Sequence, residues 1–183
     1  CDEGVVLVYL PALKDTYKEG YRLVVTGTAA YIVAGTGRGI LYGAFDVIRT
    51  EIIEDALAVC DKKVIPDNPL RMMNHWDNID GSIERGYSGL SFFMKDGKVL
   101  VDDRTRFYAR MAASVGINGV VINNVNVRGD ATNLINEKFR KKLQAMQAIF
   151  ESYGIKLYLS LNYAAPVEMG VLLTSDPLDK KVR

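Results

Sequence analysis

The segment DRTRFYARMAASVGINGVVINN, which spans residues 103–124, decides the fold of this chain. Its first part predicts an amphipathic helix over residues 103–115, ended by Gly116. One face of that helix consists of apolar residues spaced three and four apart: Tyr108, Met111, Ala112 and Val115. Residues 119–124 are nearly all apolar until the final asparagines, which predicts a buried strand. A helix that leads into a short buried strand is typical of an α/β fold with a parallel sheet.

The same alternation continues on both sides of this segment. Leu70–His75 predicts an earlier strand, and Ile155–Leu161 predicts a later one. Between the second and third strands, Thr132 is expected to cap a long helix that runs to Tyr153 and ends at Gly154. The apolar stripe of that helix is Phe139, Leu143, Met146, Phe150 and Tyr153. Strands that are apolar on both faces and joined by helices indicate a parallel sheet with right-handed crossovers.

The first third of the chain has a different order of predicted strands and helices. Gly4–Leu10 predicts a buried strand, and Tyr21–Val25 and Tyr31–Ala34 predict two paired strands. A helix capped by Thr36 is expected over residues 36–52, followed by a returning strand at Ala56–Val64. Residues 65–69 then place two prolines beside turn-forming residues, which marks a domain boundary. We therefore expect a small α/β domain over residues 1–65 and a second domain over residues 66–183.

The composition excludes several classes of protein. Lys and Arg number 23 against 22 Asp and Glu, so the near-zero net charge argues against nucleic-acid and membrane-surface partners. No apolar run is long enough to span a bilayer, because Pro11 interrupts the one that begins at Gly4. A single histidine, His75, excludes a multi-histidine metal site, and Cys1 and Cys60 cannot form a disulfide framework.

A glycine-rich stretch, Gly35-Thr36-Gly37-Arg38-Gly39, resembles a dinucleotide-binding turn. Its third glycine comes two residues after the second, whereas the fingerprint requires three. The stretch also follows a predicted hairpin and not the first strand of a βαβ unit. We interpret it as a tight turn from a strand into a helix.

The densest polar segment, residues 74–87, follows the predicted strand at Leu70–His75. Ligands bind at this end of the strands in parallel α/β sheets. Trp76 offers a flat apolar face and one N–H donor to a sugar ring. Three carboxylates in the segment are candidate acid or base groups of a glycosidase: Asp77, Asp80 and Glu84. The alternative is a polar loop whose charged side chains pair locally and cap turns.

Asparagines follow the other two predicted strands. Asn123, Asn124 and Asn126 come after the second strand, and Ser160 and Asn162 lie at the end of the third. Neutral donors and acceptors that converge at one sheet edge favour a polyhydroxylated ligand.

Several segments closely resemble family 67 α-glucuronidases. The strongest likenesses are residues 74–87, with the sequence NHWDNIDGSIERGY, and residues 113–126, with the sequence ASVGINGVVINNVN. Residues 19–21 and 39–43 resemble the small α/β domain that precedes the barrel in these enzymes and in hexosaminidases. Residues 174–179 also fit the family.

The resemblance implies a small hexosaminidase-like α/β domain followed by the first three βα units of an incomplete (β/α)8 TIM barrel. It also implies an inverting, metal-free hydrolase that needs no cofactor. The implied substrate is a xylo-oligosaccharide whose terminal xylose carries glucuronic acid or its 4-O-methyl form. The residues of this chain that the resemblance leads us to expect in substrate binding are Trp76, Asp77, Val121, Asn123 and Asn124.

The catalytic carboxylates of the family have no counterpart in these 183 residues. The family's acid lies in a Lys-Ala-Asp-Ser-Glu-Gly type of stretch on a later strand, and its base pair lies further on. Asp77, Asp80 and Glu84 do not match those positions. The resemblance therefore implies a fragment that is inactive alone. It also implies that Trp76 matches a tryptophan lining the uronic-acid pocket and that Val120–Asn126 supplies another wall of that pocket.

Two other readings remain open from the sequence. One is a non-catalytic carbohydrate-binding α/β module that uses Trp76 and the asparagines. The other is a mature lipoprotein lipidated at Cys1. The sequence leaves open the cellular compartment, any preference for the 4-O-methyl group, and whether the full-length protein is a homodimer.

Overall fold

The computed structural model describes residues 4–54, 57–123 and 134–182. The chain forms two compact units, one made of residues 1–71 and 110–118 and the other of residues 72–109 and 119–183. The expectations for Cys1, Asn124, Asn126 and Thr132 lie outside the described residues.

The first unit contains a four-stranded mixed sheet. Its elements in chain order are β1 (Gly4–Tyr9), a 3-10 turn (Pro11–Leu13), α1 (Lys14–Tyr17), β2 (Tyr21–Val25), β3 (Ala29–Ala34), α2 (Gly37–Glu54) and β4 (Cys60–Val64). The strand order is β1-β3-β2-β4, in which β1 is parallel to β3 and the other pairs are antiparallel. The predicted hairpin of β2 and β3 is confirmed, since the backbone N–H of Thr26 donates to the carbonyl of Ala29 at 2.8 Å.

Helix α2 begins at Gly37, inside the glycine-rich stretch that follows β3. The Thr36 hydroxyl accepts the backbone N–H of Gly39 at 3.1 Å, which confirms Thr36 as the cap. A Cβ on Gly39 would lie 2.3 Å from the carbonyl oxygen of Gly20, so glycine permits the close approach of two backbones. The core under α2 is formed by Tyr21, Leu23, Val25, Ala30, Ile32, Ala34, Tyr42 and Val47.

The prediction that the first strand is buried is wrong. Val5, Leu7 and Tyr9 are each more than half exposed. Strand β1 lies at the edge of the sheet, where β3 is its neighbour on one side. An apolar run therefore identifies the strand here but not its position in the sheet.

The remaining elements are, in chain order, β5 (Met72–Asn74), β6 (Met94–Lys95), β7 (Lys98–Val99), α3 (Asp103–Ser114), β8 (Gly119–Val121), α4 (Glu137–Ser152), β9 (Lys156–Tyr158) and α5 (Ala165–Glu168). Strands β5, β8 and β9 form a parallel sheet in that order, and in its register Met73 pairs with Val120 and Val120 with Leu157. The parallel arrangement was predicted, but each strand is shorter than its apolar run.

The two longer helices that flank β8 differ in how well their buried faces were predicted. In α4 four of the five predicted stripe residues are buried: Phe139, Leu143, Met146 and Phe150. The fifth, Tyr153, is half-buried and lies just after the last helical residue, and Gly154 follows with a φ of +70°. The helix is shorter than predicted, because it begins at Glu137 with Asn136 as its N-cap. In α3 the prediction is partly wrong, because Met111 and Val115 are 57% and 68% exposed. The buried face is instead Thr105, Tyr108, Ala109, Ala112 and Ala113, which has the same helical period in a different phase.

A short hairpin of β6 and β7 was not predicted. Asp96 and Gly97 form its turn with φ values of +50° and +72°. An Asp-Gly pair with two positive φ angles is a favoured two-residue hairpin turn, so the sequence carried the signal.

The first unit contains a partly buried ionic cluster around Glu19. This carboxylate pairs with Arg38 and, at 2.7 Å, with Arg71, and it accepts the side-chain amide of Asn118 at 2.9 Å. Arg71 also donates to the carbonyl of Gly116 at 2.6 Å. Burial acts to raise the pKa of Glu19, but hydrogen bonds from Arg71, Asn118 and Arg38 outweigh it and leave the pKa below its usual value.

We expect Glu19→Gln to lower the free energy of unfolding by about 2 kcal/mol, because it leaves two partly buried arginines without a counter-charge. The contribution of Glu19 is present above the unfolded-state pKa and is lost as the pH falls through the lower folded-state pKa. The difference between the two proteins should therefore shrink in acid. Urea unfolding at neutral and acidic pH measures both effects.

The matched control is Glu137→Gln, which removes an exposed ion pair with Arg140. It should cost no more than about 0.5 kcal/mol. An equal loss in the free energy of unfolding for the two variants would show that the Glu19 cluster stabilises the protein no more than an exposed ion pair does.

Candidate functional site

The polar segment that follows β5 is anchored to neighbouring backbone. The N–H of His75 donates to the carbonyl of Val121 at 2.8 Å, and Trp76 forms an isolated bridge with Asn123. Asp77 forms a second bridge with Ile83 within the segment itself. The segment thus extends the line of β5 before it folds back.

Asp80 serves a local turn. Its Oδ1 accepts the backbone N–H of Ser82 at 2.8 Å and the hydroxyl of Ser82 at 2.7 Å. The backbone hydrogen bond from Ser82 is the main reason why the pKa of Asp80 lies below its usual value. Asp80 is exposed and adopts an ordinary Asx turn.

Glu84 is likewise engaged by its neighbours. Its backbone has a φ of +57°, and its carboxylate accepts the hydroxyls of Tyr87 at 2.7 Å and Ser88 at 3.1 Å. The local-pairing interpretation of the sequence therefore fits both Asp80 and Glu84.

Trp76 lies at the carboxyl end of the parallel sheet and is half-buried. Its carbonyl accepts the N–H of Glu84 at 2.8 Å, which ties the strand end to the returning loop. Its side chain is the one indole of the chain. A partly exposed indole at a strand end can pack against an apolar face of a ligand.

Asn123 lies at the end of β8 and is 1% exposed. Its side-chain amide donates to the carbonyl of Ser160 at 3.2 Å, and its Oδ1 accepts the N–H of Ser160 at 3.0 Å. The side chain thus continues the pairing of β8 with the chain after β9, beyond the last paired backbone residues. Asn123 shapes the edge at which the other candidates lie.

The remaining sequence candidates differ in what the structure places around them. Val121 is half-buried and provides the carbonyl that His75 contacts. Asn162 uses its side chain locally, donating to Glu168 at 3.0 Å and accepting the N–H of Ala164 at 3.0 Å. Asn124 lies outside the described residues.

An aromatic cluster behind this edge was missed by the sequence analysis. The rings of Phe93, Tyr108 and Phe150 meet with centroid distances between 5.1 and 6.1 Å. His75 joins the cluster edge-on to Phe93 and shares a hydrogen bond of 2.5 Å with the Tyr108 hydroxyl. Burial lowers the pKa of His75, so the ring is neutral at physiological pH. His75 alternates with Trp76 along the strand, and this alternation could have indicated that the His75 side chain points into the core.

Asp77 is the most unusual group at this edge. It is 4% exposed, and among the described residues neither of its carboxylate oxygens has a hydrogen-bond partner. Burial raises the pKa of Asp77 to about 6, although the nearby Ser91 hydroxyl acts in the opposite direction without meeting hydrogen-bond geometry. A carboxyl group in such surroundings favours its neutral form.

The described residues contain no group of three or more His, Cys, Asp or Glu side chains able to hold a metal ion. Within the same residues, no helix has the length and apolar character required to cross a membrane.

Comparison with solved structures shows a fold shared with glycosidases. A GH20 exo-β-N-acetylglucosaminidase from Vibrio harveyi superimposes with a TM-score of 0.57 at 14% identity, covering 96% of this chain and 30% of that chain. A β-N-acetylhexosaminidase gives a TM-score of 0.56 at 15% identity over 91% of this chain and 39% of that chain. These likenesses support a mixed α/β architecture of the hexosaminidase type.

Sequence comparison is more specific. The probable alpha-glucuronidase A of Neosartorya fischeri is 41% identical over 165 residues, which cover 90% of this chain and 19% of that protein. The alpha-glucuronidase A of Aspergillus tubingensis is 40% identical over 171 residues, covering 93% and 20% respectively. The chain thus spans about a fifth of the length of these relatives.

A family profile gives the same result independently of any one relative. The profile of the glycosyl hydrolase family 67 middle domain matches residues 52–183, which contain the parallel sheet and the segment around Trp76. Together with the identity of about 40% to the fungal proteins, this match shows that the chain belongs to glycoside hydrolase family 67.

Proposed function

We propose that this chain is part of an α-glucuronidase that removes glucuronic acid, or its 4-O-methyl form, from the terminal xylose of xylo-oligosaccharides during xylan degradation. The observation that carries the proposal is the family match over residues 52–183, which includes the strand end that holds Trp76. The relatives named as alpha-glucuronidases agree with it.

We also propose a finer architecture. Strands β5, β8 and β9 are the first three strands of a (β/α)8 barrel in the domain that starts at residue 66, and residues 1–65 belong to the small preceding domain. Three neighbouring parallel strands linked through α3 and α4 support this assignment. The likeness to hexosaminidases supports it as well.

The proposed sugar site lies at the carboxyl ends of these strands. Trp76 packs its ring on the uronic acid and donates its indole N–H to a sugar hydroxyl. Val121 and Asn124 belong to the same edge, and Asn123 shapes it by holding Ser160. Asp77 belongs to this site from a buried position beside Trp76 in the chain.

The chemistry of an inverting glycosidase requires a protonated acid and a separate base that activates water, with their carboxyl groups about 6.5–9.5 Å apart. Asp80 and Glu84 do not suit these roles, because turns and neighbouring hydroxyls already use their oxygens. The described residues therefore contribute sugar binding, and the acid and base are expected on later strands of the full-length enzyme.

The first prediction of this proposal is that the purified 183-residue chain does not hydrolyse aldouronic acids. No stretch of the Lys-Ala-Asp-Ser-Glu-Gly type occurs in its sequence, so proton transfer to the leaving oxygen has no assigned donor. Chromatographic detection of glucuronic acid measures the reaction. Release above a blank incubation would contradict the prediction and place a working acid within these residues.

The second prediction concerns Trp76→Ala in the full-length enzyme. The change removes a large apolar contact and one hydrogen-bond donor, together worth about 2–4 kcal/mol. If both contacts persist in the transition state, kcat/KM falls by roughly 30- to 1,000-fold. Steady-state kinetics on an aldouronic acid provide the measurement.

The matched control is Asp80→Asn in the same segment. Its side chain can still accept the Ser82 bonds, and Asp80 matches no catalytic position of the family, so kcat/KM should change little. Near-normal turnover of Trp76→Ala beside an inactive, well-folded Asp80→Asn would reverse the roles assigned to these two residues.

A further inference from the structure

The buried carboxyl group of Asp77 was assigned above to the proposed sugar site, but no contact of that group explains what it does there. Burying a carboxylate without a partner is costly, and proteins rarely retain such a group without a function. Asp77 lies at the carboxyl end of β5, one residue from Trp76, and is only 4% exposed. What this carboxyl group contacts, and from which side, determines what it can do.

The backbone of residues 75–77 places Asp77 opposite to Trp76. His75, Trp76 and Asp77 each pair with a neighbouring segment, so the three residues continue the extended strand. Successive side chains of an extended segment point to opposite sides. Asp77 therefore shares a side with His75, whose ring meets Tyr108 of α3, while Trp76 points the other way.

Among the described residues, the groups that lie near Asp77 or on its side of the extended segment are Ser91, Tyr108 and His75, and none of these three is a cation at neutral pH. Ser91 of the returning loop offers a hydroxyl. The pKa of Tyr108 of α3 is raised to about 12, mainly by burial and to a smaller extent by the negative charge of the nearby Asp77. His75 on the same strand is neutral, because burial lowers its pKa. These surroundings stabilise the carboxylic acid and not the carboxylate.

The loop that carries Ser91 is also bonded to the backbone of Trp76 and Asp77. The N–H of Glu84 donates to the carbonyl of Trp76 at 2.8 Å, and Asp77 bridges to Ile83. The N–H of Ser91 donates to the carbonyl of Gly81 at 2.8 Å. A charge that forms on a buried carboxyl group is favoured only if water or another polar group reaches it, and loosening of these contacts would admit water.

We propose that Asp77 is a positioning residue: as the neutral acid it keeps the loop of residues 76–91 closed behind Trp76, and its ionisation loosens this loop and displaces the indole. The consequence for sugar binding rests on the function proposed above, whereas the coupling between Asp77 and Trp76 does not. Asp77 then affects the sugar through Trp76 and makes no contact with it.

The fluorescence of Trp76 tests the coupling directly, because it is the one tryptophan of the 183-residue chain. Its emission maximum should shift to longer wavelength with a midpoint at about pH 6 as the pH rises. Asp77→Asn, which has nearly the same shape and cannot ionise, should abolish that transition and keep the short-wavelength emission. The control Asp80→Asn, which removes an exposed carboxylate of the same loop, should retain the fluorescence transition.

A second measurement is the pH dependence of stability. Because the folded-state pKa of Asp77 lies above the unfolded value, its stabilising effect is complete below the unfolded pKa and is lost as the pH rises to about 6. Asp77→Asn should therefore unfold at a higher urea concentration than the original chain at neutral pH, and this advantage should vanish at about pH 4. A transition that persists in Asp77→Asn, or a flat emission profile of the original chain, would overturn the proposal.

In the full-length enzyme, positioning and direct binding give different kinetics. Positioning predicts that Asp77→Asn removes the rise in KM that accompanies ionisation at about pH 6, while kcat keeps its own pH profile. Direct contact with the sugar predicts a raised KM at every pH, which would refute positioning. If the enzyme does not act on aldouronic acids at all, the proposed function fails, but the fluorescence transition and its loss in Asp77→Asn still decide the coupling.

Discussion

The carboxylate of Glu19 binds Arg71 and Asn118, the residues that directly precede β5 and β8. Arg71 and Asn118 also bind each other: the N–H of Asn118 donates to the carbonyl of Arg71 at 3.0 Å, and the N–H of Arg71 donates to Oδ1 of Asn118 at 2.8 Å. The next residues, Met72 and Gly119, are the first pair of the parallel ladder. Because a slip of one residue would move every side chain to the other face, this pairing determines which residues lie at the carboxyl edge of the parallel sheet.

Much of this fold could be predicted because helical periodicity and turn residues act locally. The stripe of α4, the Thr36 cap and the hairpin of β2 and β3 all depend on residues a few positions apart. The exposure of β1 could not be predicted, since it depends on the order of strands in the sheet. In α3 the apolar residues fit two phases of one period, and small alanines rather than Met111 and Val115 form the buried face.

The candidate site shows a similar division. Its location after a parallel strand was inferred from the order of elements. The family resemblance is confirmed by the family match, whereas the role of Trp76 stays a prediction. The roles of the carboxylates depend on three-dimensional neighbours that a sequence does not display. Asp80 and Glu84 accept local hydrogen bonds, whereas Asp77, only a few residues away, is buried without a described partner. Similar residue types within one loop thus face entirely different dielectric surroundings.

The alternation of side chains along an extended strand explains how one strand end can serve two purposes. Trp76 faces one side, where a half-buried indole can meet a ligand, while His75 and Asp77 face the aromatic cluster of Phe93 and Tyr108. The rings of Phe93, Tyr108 and Phe150 pack against one another there and are buried, so water is excluded from between them. The same exclusion of water makes a charge on Asp77 unfavourable. A binding surface backed by a dry core therefore becomes sensitive to the protonation of any carboxyl group placed in that core.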